Sequence, residues 1–199
     1  MHEQGSPTEQ AAVNQQTTVN VSILIVNYNS LNDIMRCIPS LLAQSYDDYE
    51  IIIIDNASTD GSPDQIAETY SNIKLIRSEH NLGFGGGNNL AAQHAQGKYL
   101  AFLNPDTTVE PDWLPELVST LEQHPEAGIA TTKLLVMEEP HPINTTGNYM
   151  HITGLGYLRG WQEPSTAYPE PGEIFAMSGA AFMMPRTLFE EIGGFDEIF

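Results

Sequence analysis

Three short polar clusters stand where apolar runs end, and their side chains are those of a ligand site. VNVSILIV leads into Asn27-Tyr28-Asn29, four consecutive isoleucines lead into Asp55-Asn56, and Phe102-Leu103 leads into Asn104-Pro105-Asp106-Thr107. Asp106 is the leading candidate for a metal contact, because a hard divalent cation binds through one or two carboxylates plus substrate phosphate oxygens. The plainer alternative is that Asp106 starts the turn before Pro111. A Gly-rich stretch, Asn81-Leu82-Gly83-Phe84-Gly85-Gly86-Gly87-Asn88-Asn89, precedes a helical segment. Its glycines would let backbone approach a ligand, and its N–H groups would suit phosphate. A flexible turn is the competing reading. The dinucleotide fingerprint fails, since G-x-G-x-x-G needs Gly at 88 and should follow the first strand. Gly-Lys-Ser/Thr is also absent, so there is no P-loop.

These clusters need elements that bring them to one place. Val19–Val26 and Tyr49–Ile54 read as strands buried on both faces, Ile73–Arg77 as a shorter strand, and Tyr99–Leu103 and Gly128–Val136 as two more. Leu31–Leu42 repeats apolar residues at helical spacing, with Ser30 and Asp33 as a capping box. A second helix is expected from Pro63 to about Tyr70 with Ser62 as its cap, and a third over Asn88–Gln96. A fourth covers Pro111–His124, with Trp113, Leu114, Leu117, Val118 and Leu121 on one side. Residues 137–173 hold Gly147, Gly154, Gly156, Gly160 and five prolines, the composition of an irregular functional loop. Order returns at Ile174–Met184 and in a helix from about Arg186 to Ile192. Alternation of strand and helix, with strands apolar throughout, predicts an α/β fold: a Rossmann-like, mostly parallel sheet with helices on both faces. Such sheets bind ligands at the carboxyl ends of their strands, which is where the three clusters fall.

Composition narrows the ligand. The 199 residues carry 26 Asp+Glu against 7 Lys+Arg, a formal charge of −19, and 41% are hydrophobic, enough for a substantial core. Nucleic acid is disfavoured because neutralising phosphates needs basic patches, and a bare anionic membrane surface is disfavoured on the same ground. A small anion remains open if backbone amides or a cation receive it. Cys37 is the lone cysteine and sits among Ile34, Met35, Ile38 and Leu41, the surroundings of a core thiol. Residues 1–18 read as a disordered tail without a secretory signal, and no run of about 18 apolar residues follows. The expected location is the cytoplasm. The histidines lack metal-binding spacing, and the Asn144-Thr145-Thr146 sequon carries no weight without a signal peptide.

Taken together, VSILIVNYNS, IIIIDNASTDGS, NLGFGGGNN, LNPDT and SGAAFMMPRTLFEEIGGFDE resemble, in content and order, the family 2 glycosyltransferases of the GT-A fold, most closely the rhamnosyltransferase-like branch. The resemblance spans about 19–199, read as one nucleotide-sugar-binding domain. It implies transfer of a sugar, with dTDP-rhamnose the first guess, from a nucleotide-diphosphate donor to a glycan or lipid-linked acceptor hydroxyl with inversion, as in polysaccharide or cell-wall biosynthesis. By that resemblance Asn27 and Asp55 would contact base and ribose, and Asn81, Gly83 and Gly85 would lie along the nucleotide and diphosphate. Asn104-Pro105-Asp106 occupies the D-x-D position, where Asp106 alone would carry Mg2+ or Mn2+. Ser178, Gly179 and Ala180 would line the donor-sugar and acceptor side, with 137–173 helping to cover the substrate. The catalytic base of such enzymes lies in an acidic motif after the GGFDE segment. It is expected beyond Phe199, with Asp196 on the approach to the site, so a C-terminally truncated, weakly active or inactive fragment is anticipated. Peripheral contact with the inner membrane face is compatible with this reading. Two other readings stand beside it: a non-catalytic nucleotide-sugar-binding module, and a nucleotide-binding oxidoreductase domain that the failed fingerprint counts against.

Overall fold

Runs of β-branched residues set the centre of the fold. In the computed structural model, which describes residues 19–198, β1 (Val21–Asn27) and β2 (Tyr49–Asp55) pair in parallel, with Asn27 opposite Asp55. The tail expected over 1–18 lies outside the described residues. β3 (Lys74–Arg77) pairs in parallel with β2, and β4 (Tyr99–Leu103) with β1. β5 (Ala130–Thr131) joins the sheet only through β10 (Ala181–Pro185), which inserts antiparallel between β4 and β5. The order is therefore β3-β2-β1-β4-β10-β5, mostly parallel as expected.

Helices cover both faces. On one side α1 (Leu31–Leu42), α2 (Ser62–Thr69) and α4 (Trp113–Gln123) bury Ile34, Ile38, Leu41, Ile66, Trp113 and Leu117 against Ile23, Ile25, Ile51 and Ile53. On the other, α3 (Gly83–Gln93) and α5 (Arg186–Glu191) contribute Ala91 and Phe189, which join Leu24, Ile52, Ile54, Phe102 and Phe182. Cys37 is buried in the first of these layers, as expected of a core thiol.

Several local expectations need correction. The glycine run is the start of α3 rather than a loop before it: Gly85, Gly86 and Gly87 are helical and buried. Tertiary packing overrides the low helix propensity of glycine, because a Cβ on Gly87 would stand 2.8 Å from both γ-methyls of Val26. Ser30 does not cap α1 with its side chain; its hydroxyl donates to the carbonyl of Tyr28, and the Leu31 amide is taken by Asp60 at 2.8 Å. Ser62 is the first residue of α2 and not its cap, which is Gly61 at φ +85°. The strand expected over 128–136 is broken. Lys133 Nζ donates to the carbonyls of Ser165 and Ala167, and Leu134–Leu135 (β6) leaves the main sheet to pair with β7 (Ile143–Thr145). Residues 137–173, expected as irregular throughout, also hold a hairpin of β8 (Asn148–Met150) and β9 (Gly156–Leu158).

Candidate functional site

Parallel pairing carries the ends of β1, β2 and β4 to one edge of the sheet, as the polar clusters require. Asn27 is wholly buried there. Its Nδ2 donates to Asp55 Oδ1 at 3.2 Å, Ser58 Oγ at 3.2 Å and Ser62 Oγ at 2.7 Å, while its Oδ1 is buried without a partner. Asp55 is 3% exposed and accepts a second bond from the Ser58 amide on Oδ2 at 3.2 Å. Neutral donors alone hold this carboxylate; it makes no ion pair among the described residues. Asn27 thus positions Asp55, and Asp55 is the better placed of the two to meet a hydroxyl at the edge.

The carboxylate of Asp60 joins the two loops that bear these residues. It accepts from the Leu31 amide, from the Ser62 amide at 3.0 Å and from the Ser62 hydroxyl at 2.6 Å. Partial burial pulls its carboxyl up, but the Ser62 and Leu31 hydrogen bonds outweigh that and hold it below the usual carboxylate range. Asn56, buried, plays the matching part on the next loop. Its Nδ2 donates to Asn81 Oδ1 at 3.0 Å and to the Gly83 carbonyl at 3.1 Å, and its Oδ1 accepts from the Leu82 amide at 3.0 Å. Asn81 accepts in turn from the Gly83 amide at 2.9 Å. Sequence reasoning did not single out Asp60, and it placed Asn56 in a polar cluster without its role of tying that loop to the next. The signal for Asp60 was the turn Ser58-Thr59-Asp60-Gly61-Ser62, whose left-handed Gly61 turns the acid back toward α1.

The Gly-rich segment divides in two. Asn81 and Gly83, exposed at the start of α3, face the edge, with Gly83 at φ +70° and open space beside it. Gly85 lies under the chain: a Cβ there would stand 3.0 Å from the Asp196 carbonyl oxygen and 3.2 Å from the Phe195 Cβ. The side of Gly85 on which a Cβ would stand is thus filled by the protein's own chain. Asn89 fixes that segment, accepting from the Phe195 amide and donating to the Phe195 carbonyl and Glu197 Oε1, each at 2.9 Å.

Asn104 and Asp106 follow β4. The Asn104 amide donates to the Ala180 carbonyl at 2.9 Å, tying the turn to Ser178, Gly179 and Ala180, and a Cβ on Gly179 would meet the Phe84 ring at 3.9 Å. The structure therefore brings Asn104, the start of α3 and 178–180 together. Asp106 is exposed and makes no ion pair among the described residues; Thr107 Oγ1 lies 3.5 Å from its Oδ1. Burial first, and then the Asp106 charge, push the Cys37 thiol up to about 12, with Arg36 opposing. The Asp106 carboxylate is thus close enough to α1 to be felt there. Among the described residues no group of three or more His, Cys, Asp or Glu could hold a metal. The donor set that fits a hard divalent cation is this single free carboxylate completed by ligand oxygens. A concavity of about 610 Å3 lined by Lys98, Tyr99 and Arg186 lies at the opposite edge, where β4 begins.

Among known proteins, the profile described as "Glycosyl transferase family 2" matches residues 22–193. The O-antigen biosynthesis protein RfbC of Myxococcus xanthus is 33% identical over 194 residues, which is 92% of this chain and 15% of that protein. The chain spans less than half the length of the other curated relatives it matches, for example 29% of the succinoglycan biosynthesis protein ExoO of Rhizobium meliloti. Among solved structures, S. aureus TarS 1-349 in complex with UDP superposes with a TM-score of 0.65 at 21% identity, over 90% of this chain and 51% of that one. The mannosyltransferase PcManGT from Pyrobaculum calidifontis, in complex with GDP-Man and Mn2+, gives 0.65 at 20% identity, over 92% and 49%. At these identities the likeness is one of fold, the GT-A fold.

Proposed function

The chain belongs to glycosyl transferase family 2, and from that premise we propose that it binds a nucleoside-diphosphate sugar along the carboxyl edge of its sheet, for transfer to a glycan or lipid-linked hydroxyl with inversion. One observation supports the reading: parallel pairing sets the ends of β1, β2 and β4 on one edge, where Asn56 bonds to the Asn81–Gly83 turn and the Asn104 amide, two residues before Asp106, bonds to Ala180.

Roles follow from exposure and chemistry. Asp55 accepts from the ribose or base, with Asn27 and Ser58 holding its two oxygens in place. Asn81 and the amides at the start of α3 face the diphosphate, which meets no lysine or arginine in 78–97. Asp106, with Asn104 beside it, would hold Mg2+ or Mn2+, and the bound cation would offset the charge that develops on the departing diphosphate. Ser178, Gly179 and Ala180 line the sugar and acceptor side. An acceptor hydroxyl needs a general base, a role assigned to no residue of this chain. The rhamnosyltransferase-like motifs favour dTDP-rhamnose as donor.

Titration of the 199-residue chain with dTDP-, UDP- and GDP-sugars, with and without Mn2+, tests the proposal. Cation-dependent binding of one class, weakened by Asp55→Asn, is expected; a folded sample that binds none refutes it. Binding without transfer is expected of a chain with no assigned base and fits a nucleotide-sugar-binding module equally, whereas transfer to an offered acceptor would exclude that second reading.

A further inference from the structure

The β8–β9 hairpin leaves its apolar side chains in water on every side. Tyr149 and Tyr157 form a cross-strand pair and are 55% and 53% exposed; Ile152 and Leu155, in the connecting turn, are 97% and 59% exposed. Trp161, just after the hairpin, is 51% exposed, and Phe175, beside the bridge from Ala176 to Asn148, is 72% exposed. The turn satisfies much of its own backbone: the His151 amide donates to the Leu155 carbonyl at 2.7 Å, the Gly154 amide to the His151 carbonyl at 2.8 Å, and the Thr153 amide to His151 Nδ1 at 3.3 Å. Charge is distributed with the same bias. In a chain of net charge −19, residues 140–162 contain no Asp or Glu, although Glu139 meets His141 at 3.1 Å, Arg159 stacks on the Tyr168 ring at 4.6 Å, and Glu163 and Glu173 stand near Trp161 and Phe175 in sequence.

The geometry points to a phospholipid bilayer surface as the partner of this hairpin, entered by Ile152 and Leu155 with the tyrosines and Trp161 at the headgroup level. An immersing medium covers both faces of a two-stranded ribbon and its turn at once, as the exposure on both faces and at the tip requires. Aliphatic side chains at the tip with amphipathic rings behind them match the polarity gradient of a membrane interface. The acid-free stretch removes local repulsion from anionic headgroups, and charges beyond a Debye length of about 8 Å are screened at physiological salt. Asn148 ties the hairpin to the candidate site, its amide donating to the Ala176 carbonyl at 2.7 Å and its Nδ2 to the Met177 carbonyl at 3.0 Å, next to Ser178. A docked hairpin would hold the acceptor side of the edge at the membrane; that link to a lipid-linked acceptor rests on the function proposed above, whereas membrane binding itself does not.

The test is co-sedimentation of the 199-residue chain with vesicles of phosphatidylcholine alone and of phosphatidylcholine with phosphatidylglycerol. Binding to both is expected, with a blue shift in tryptophan emission that Trp161→Phe removes, since Trp113 is 6% exposed and already buried. The Ile152→Ser/Leu155→Ser variant should bind roughly tenfold or more weakly, the loss of two inserted aliphatic side chains, while melting as the parent does. Leu42→Ser, which removes an exposed apolar side chain on α1, should leave binding unchanged. Failure to bind either vesicle, or equal binding by the double variant, overturns the proposal. A dimer abolished by the double variant, with no vesicle binding, assigns the surface to a second copy. Nucleotide-sugar titration of the same samples reads the other proposal independently.

Discussion

Between Asn27 and Gly83 key polar side chains reach across to other loops, whereas in the turn of the β8–β9 hairpin they bond to one another and leave apolar neighbours in solvent. In the first region Asp60, 29 residues from Leu31, and Asn56, 26 from Leu82, lock three loops to one another through buried or half-buried bonds. In the second, His151 bonds to Thr153 within the turn, while Ile152 beside it is almost fully exposed. The difference teaches where rigidity is placed: the edge between Asn27 and Gly83 is held in advance by long-range bonds, and the hairpin region has few of them.

The contrast can be broken by substitution. Asp60→Ala removes the acceptor from two helix starts and should cost about 2–3 kcal/mol in urea unfolding, about twice a typical cap. Because the Asp60 carboxyl titrates below its unfolded value of about 4, its contribution is present above that pH and lost as pH falls through the lower folded value. The acid-side decline in melting temperature should therefore be shallower in Asp60→Asn than in the parent. A cost of Asp60→Ala under about 0.5 kcal/mol, the range of an ordinary surface change, would erase the distinction between the regions. Gly87→Ala comes next, at about 1–2 kcal/mol, since the added methyl meets Val26. Coupling to Val26→Ala in a double-mutant cycle would locate that cost at the α3–β1 contact.

Asp106→Ala should change stability by less than about 0.5 kcal/mol, being exposed and without an ion pair, yet abolish the cation dependence of donor binding. Unchanged cation dependence in calorimetry would remove Asp106 from the site. Smallest of all is Gly156→Ala, where no atom lies within 4 Å of the new methyl; a shift within about 0.5 kcal/mol is expected in thermal melting. A large loss there would show the hairpin to be as tightly built as the edge between Asn27 and Gly83.

Much of the architecture was legible because it is written locally. Four isoleucines before Asp55 and the five buried residues of β4 read as strands covered on both faces, and parallel pairing then gathers the polar clusters. What escaped sequence reading depends on distant partners. Nothing near residue 30 says that Asp60 takes the first amide of α1, and nothing within the glycine run says that Val26 and Phe195 lie against it. Where the chain leaves the sheet after Thr131, Lys133 reaches Ser165 and Ala167, more than thirty positions on, contacts with no local signal. Asp55 and Asp106 were visible because carboxylates at strand ends are unusual; Asn56 was visible as a residue and invisible as an organiser, since its bonds are to a later turn.

The insertion of β10 between β4 and β5 has a consequence for how the chain reaches this state. β1, β2 and β3 pair with their neighbours in sequence, whereas Val21 must find Tyr99 and Ala181 must find Leu103 across 78 residues each, and Met183 must find Ala130 across 53. Loop closure of that length is slow relative to local pairing. β5 has no other partner in the sheet, so it stays unpaired until β10 arrives. The β1–β3 part of the sheet can therefore form early, and β10, which continues from 178–180, closes the sheet last and completes β5 only then.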